Sequence, residues 1–155
     1  MVTGSAEVKG YAYKNLILDG NIANRNLVLI VKMDDQNLKF NLDAKANIEN
    51  KYPAVNFTLN IDTLNLQKIN LYDSDLRLHG KIMANLPSTN PDSLIGTITA
   101  SHLLVAANDK RYNLGSVNIY ADVQVQPKNL VIKSEFLPAI LNVQYNLTQT
   151  GNRLT

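Results

Sequence analysis

The sequence predicts an all-β chain built of repeated amphipathic strands in an antiparallel sheet with one apolar face. Three observations carry that prediction. Apolar and polar side chains alternate with a period of two over several long stretches, short clusters of turn-forming residues separate those stretches, and no segment keeps an apolar step of 3.6 for three turns. A fully buried parallel sheet would read as continuous apolar runs, whereas strict alternation belongs to a sheet that wets one side and hides the other.

The clearest strand runs from 38 to 48, where Leu38, Phe40, Leu42, Ala44, Ala46 and Ile48 alternate with Lys39, Asn41, Asp43, Lys45 and Asn47. Val55, Phe57, Leu59 and Ile61 repeat the pattern against Asn56, Thr58, Asn60 and Asp62. It recurs at Leu76, Leu78, Ile82, Ala84 and Leu86, and at Val117, Ile119, Ala121, Val123 and Val125. Leu130, Ile132 and Phe136, then Leu141, Val143, Tyr145 and Leu147, keep the same step. Turns are expected at Asp19-Gly20-Asn21, Asp34 to Asn37, Glu49 to Pro53, Pro87 to Asp92, Asn108-Asp109-Lys110, Pro127-Lys128-Asn129 and Gly151-Asn152. Strands joined by turns this short pair antiparallel with their sequence neighbours.

A repeat is visible within the chain. Leu38 to Ile48 overlays Leu76 to Leu86 in apolar phase, sharing Ala-Asn before the closing aliphatic, and a third copy starting near Leu114 keeps the phase without the identities. A unit that cannot bury its apolar side alone gains stability by stacking on its neighbours, so the expectation is an array of hairpins.

Composition narrows the function classes. The net charge of +2 over 155 residues is dispersed and forms no basic stripe, which argues against nucleic acid. With no cysteine there is neither a disulfide framework nor thiolate chemistry. The greasiest runs, Leu27 to Val31 and Leu103 to Ala107, fall far short of the about 18 apolar residues a spanning helix needs. His79 and His102 have no metal-ligand spacing and read as solvated surface histidines. Asp73-Ser74-Asp75 lacks the later ligands and the glycine of a calcium loop and reads as a polar turn. Gly80 and Gly96, isolated in β-patterned stretches, are expected to mark a bulge, a bend or a close backbone approach. No paired carboxylates flank an aromatic platform, so no catalytic residue, cofactor or metal is expected and the chain is not read as an enzyme.

The stretch from Asp62-Thr63-Leu64-Asn65-Leu66 through Asp75 to Leu86 and Thr89-Asn90-Pro91-Asp92-Ser93-Leu94-Ile95-Gly96-Thr97-Ile98, then Lys110 to Leu114, resembles the TamB family. That family is the translocation-and-assembly-module component of the AsmA-like superfamily, and the likeness is to its Bacteroidetes-type members. Where the family usually has a glycine before Thr-Asn-Pro, this chain has Leu86-Pro87-Ser88. The resemblance implies a long curled antiparallel sheet, a β-taco with an open hydrophobic groove, in a periplasmic protein anchored in the inner membrane and reaching the outer one. It further implies phospholipid or other acyl-chain lipid as ligand and an outer-membrane β-barrel as partner, with membranes met only through segments outside this sequence. Residues 1–5 then read as a vector remnant and 6–155 as a single β-groove segment of a larger repeat protein.

The expected lining is Leu38, Phe40, Leu42, Val55, Phe57, Leu59, Ile61, Leu76, Leu78, Ile82, Ile98, Val105, Val117, Ile119, Val123, Leu130, Ile132, Leu141 and Val143. Exposing two acyl chains to water costs about 0.8 kcal/mol per CH₂, on the order of 20 kcal/mol for a diacyl lipid, and an aliphatic trough removes that cost. A closed sandwich or solenoid core would use the same residues. The alternative to lipid transport is therefore a structural spacer or a strand-docking surface.

Overall fold

The computed structural model describes residues 1–90, 94–122, 129–135 and 140–144. Within them the chain forms ten strands: β1 (Val2–Val8), β2 (Tyr11–Ala23), β3 (Asn26–Asp34), β4 (Leu38–Asn47), β5 (Ala54–Asn65), β6 (Leu76–Ser88), β7 (Ile95–Ala107), β8 (Lys110–Asp122), β9 (Asn129–Ser134) and β10 (Ile140–Gln144). They lie in one antiparallel sheet in sequence order from β1 to β10. The sheet is not closed, and substantial packing is confined to strands adjacent in sequence. No helix among the described residues is long and apolar enough to cross a membrane.

Three hairpins turn through two residues that both have positive φ: Lys9-Gly10 (48° and 75°), Asn24-Arg25 (48° and 62°) and Asn108-Asp109 (46° and 65°). This is the turn whose twist matches that of the strands it joins. The expected turn at Asp19-Gly20-Asn21 is instead mid-strand, where these residues pair with Ile30, Leu29 and Val28 of β3. Asn24-Arg25 makes the reversal although it contains no glycine, because asparagine tolerates the left-handed region and the long β2–β3 ladder holds the arginine there. The expected Pro87 turn also begins later, since β6 continues to Ser88. The turns expected at 127–129 and 151–152, and the positions of Val123, Val125, Phe136, Tyr145 and Leu147, lie wholly or mainly outside the described residues.

Register places the apolar phase of successive strands in rows across the sheet. One row runs Leu18, Val31, Leu42, Leu59, Ile82, Ala100, Val117. The next runs Gly20, Leu29, Ala44, Phe57, Ala84, Ile98, Ile119, Ile132. Strands β4 and β6, which carry the sequence repeat, therefore lie two strands apart and run the same way. Their spatial equivalents are Ala44 with Ala84 and Leu42 with Ile82, two residues off the sequence overlay but on the same face.

Bulges cross the sheet near one end of the strands. The pairing shifts between Ile61 and Leu64 on β5, between His79 and Lys81 on β6, and from Ala100 to Leu104 on β7. An extra residue on one strand bends it and increases its twist, so aligned bulges help curl an open sheet. Gly80 sits in this line with φ 155°, and a Cβ there would come within 2.8 Å of Leu103 Cδ2. At Gly96 (φ 136°) a Cβ would overlap the Asn85 carbonyl oxygen. Both glycines thus mark close approaches, as their isolation in the sequence predicts.

Candidate functional site

The described residues form a single layer, so the apolar side of β1 to β10 faces no second sheet. Val123 lies outside the described residues; for Leu130, Leu141 and Val143 only backbone register is described, with Leu130 opposite Ala121 and Val143, and Leu141 opposite Ile132. The remaining expected lining residues all fall on this face by register. None of them is fully buried; each retains partial exposure.

Exposure is uneven between the two ends of the strands. Toward the β2–β3 turn, Leu18 is 42% and Ile22 64% exposed. Toward the β1–β2 turn, Tyr13 and Met33 are each 7% exposed and Ile69 only 1%. What differs there is the β5–β6 connection, which folds back onto the sheet.

That connection forms a tight polar scaffold around one aliphatic side chain. Asn65 caps it, its Oδ1 accepting from Lys68 N at 3.1 Å and its carbonyl from Ile69 N at 3.2 Å. Leu66 O then accepts from Leu71 N at 2.9 Å and from Tyr72 N at 3.1 Å, and Gln67 Nε2 donates to Asp73 O at 3.0 Å. Asn70, with φ 59°, donates its amide to the Lys9 carbonyl at 3.1 Å and so ties the loop to the β1–β2 turn. Ile69 is thereby held against Tyr13 and Met33, with Tyr11, Leu16, Leu38, Phe40, Leu64 and Leu66 around them. Leu38 and Phe40, expected in a groove, thus belong to a small packed cluster at its margin. The sequence reasoning missed Ile69, a lone aliphatic in Gln67-Lys68-Ile69-Asn70 with no periodic neighbour to flag it.

A buried polar knot secures the same end. Asp35, 7% exposed, accepts from the Tyr11 hydroxyl, from Asn37 N at 2.9 Å and from Lys14 N at 3.2 Å. Asn37 Nδ2 donates in turn to the Tyr11 oxygen at 3.1 Å. Burial pushes the Asp35 carboxyl up, but the Tyr11 hydroxyl and the two backbone N–H groups outweigh it and hold the group below its ordinary value. The Asp35 hydrogen bond, with burial adding to it, raises the Tyr11 phenol.

Clefts among the described residues open on the polar face, and two of them bear on function. One of ≈ 530 Å³ crosses β3 to β7 between side chains that include Asp43, Lys45, Asn56, Thr58, Met83 and Asn85. Of the expected groove residues, only Phe57 borders it. The other, ≈ 460 Å³, brings His79 and His102 together with Glu135 at the line of bulges. Both histidines are exposed, and His79 Nδ1 lies 3.1 Å from the Asp62 carbonyl. Among the described residues no three His, Cys, Asp or Glu side chains are placed to hold a metal ion.

Comparison with protein-family models, with curated proteins and with solved structures finds no match for this chain.

Proposed function

We propose that this chain is a lipid-shielding segment of a TamB-like periplasmic bridge, in which the apolar face receives the acyl chains of phospholipids and leaves their headgroups in water. The observation that supports this most is the uncovered run of aliphatic rows: the row from Leu18 to Val117 contains no polar side chain across seven strands and meets its first, Ser134, on β9. Such a surface removes the cost of wetting an acyl chain and offers no hydrogen-bonding group that would hold a lipid at one position. Ten strands at about 4.8 Å spacing give a path on the order of 43 Å, a fraction of a longer conduit in the full-length protein. Large contiguous apolar faces are rarely left bare on soluble monomers, so a face of partly exposed aliphatic rows favours a bound ligand. In the full-length protein the proposal includes a β-barrel partner in the outer membrane and a role in assembling outer-membrane proteins.

Replacing Leu59 by aspartate tests this. On an uncovered face, Leu59→Asp keeps cooperative unfolding and the circular dichroism of the sheet while losing most binding of a fluorescent fatty acid. If Leu59→Asp unfolds the chain, or binds the fatty acid as well as the parent does, the proposal is wrong.

A further inference from the structure

The β5–β6 loop covers only part of the apolar face, and the part it covers is defined residue by residue. Ile69 occupies the space above Tyr13 and Met33, and its neighbours Leu16, Leu38, Phe40 and Leu64 complete that margin. Beyond it lie the rows through Leu42–Leu59–Ile82 and Ala44–Phe57–Ala84, then the row Ile22–Leu27–Ala46–Val55–Leu86. Adjacent rows on one face are two residues, about 7 Å, apart along the strands, so the uncovered strip is narrow along the strands and long across them. That shape suits thin, flexible hydrocarbon chains, two abreast, better than a broad protein surface.

We infer that the β5–β6 loop, through Ile69, is a side stop that confines acyl chains to the rows beyond Phe40 and Ile61. This rests on the lipid-binding function proposed above and adds which residues touch the chain and which do not. The loop can act in this way because it is anchored at both ends of its span. Asn65 and Leu66 hold its base on β5, and Asn70 holds its tip at the Lys9 carbonyl in the β1–β2 turn, with β2, β3 and β4 lying between in the sheet order. An acyl chain sliding toward the β1–β2 turn would have to displace Ile69 from its place on Tyr13 and Met33. Ile69 therefore determines the position of the lipid through the packing of its aliphatic side chain.

A palmitic acid carrying a diazirine, photolysed on the full 155-residue chain and mapped by peptide mass spectrometry, reads this directly. Labelling is expected on Leu42, Phe57 and Leu59 and to be absent from Tyr13, Met33 and Phe40. Ile69→Ala should spread the label several-fold onto Met33 and Phe40. Asn70→Gly, which keeps the positive φ while removing the tie to Lys9, should do the same to a smaller degree, and it serves if Ile69→Ala does not fold. Equal labelling of Met33 and Leu59 in the parent chain, or an unchanged footprint in a folded variant, would overturn the side stop while leaving lipid binding intact. No labelling on the face at all, with the chain dimeric by native mass spectrometry, would overturn lipid binding and the side stop together.

Discussion

The two ends of the strands carry the same kinds of side chain on the same face, yet they behave as different materials. Near the β1–β2 turn, Tyr13, Met33 and Ile69 are closed off from water and backed by the Asp35–Tyr11–Asn37 knot. Near the β2–β3 turn, Leu18 and Ile22 stand open. Two features make the difference: β1 pairs with β2 only as far as Leu18, which leaves Ile22 on an open edge, and the segment between β5 and β6 is long enough to fold back over the sheet, whereas the two-residue Asn24-Arg25 turn reverses the chain tightly. In a one-layer sheet, then, loop length and edge position both set how far the apolar phase is exposed, while away from the loop Ala84 and Ala121 are each 6% exposed within the sheet.

The largest effect that could break this contrast comes from charge. Met33→Asp should destabilise the chain by about 3–5 kcal/mol or abolish folding, because it leaves an unpaired charge in the closed cluster. Ile22→Asp should change stability by no more than about 0.5 kcal/mol, as for a surface substitution. Urea unfolding of the two variants measures both, and similar losses would mean that the open end is packed after all.

An intermediate effect is expected at the knot. Asp35→Ala leaves the Tyr11 hydroxyl and two backbone donors without their acceptor and should cost about 1–3 kcal/mol. The folded Asp35 value lies below the ordinary 3.8, so its contribution is complete above that pH and is lost as pH falls through the folded value. Tyr11 is shifted the opposite way, above 10.0, so its contribution holds below pH 10 and is lost as pH rises through the folded value. Melting temperatures from pH 2 to 7 should therefore fall more steeply in acid for the parent than for Asp35→Ala, and parallel curves would remove Asp35 from the account.

The same comparison explains what could be seen in the sequence. Strands β4, β5 and β6 were legible because Leu38 to Ala46, Val55 to Ile61 and Ile82 to Leu86 keep one phase without interruption. Strands β2 and β7 were not, because a bulge switches the phase part-way. Tyr11 and Tyr13 share the face with Leu16 and Leu18 across Asn15 (φ 56°), and Ile98 and Ala100 share it with Leu103 and Val105 across His102 (φ 53°). A search with a fixed step of two loses such strands at the bulge. The buried Ile69 was invisible for a different reason. Its burial depends on Tyr13 and Met33, more than thirty residues upstream by the numbering, and nothing local to Gln67-Lys68-Ile69-Asn70 announces that contact.

Fatty chains held on the rows through Leu59 and Phe57, as proposed above, should stay with the protein through gentle extraction. Native mass spectrometry of the protein, gently extracted after exposure to phospholipid vesicles, tests this most directly. A population heavier than the bare chain by one or more diacyl lipids is expected, and it should disappear in Leu59→Asp. A bare mass in both proteins, with the face still uncovered, would contradict the proposal.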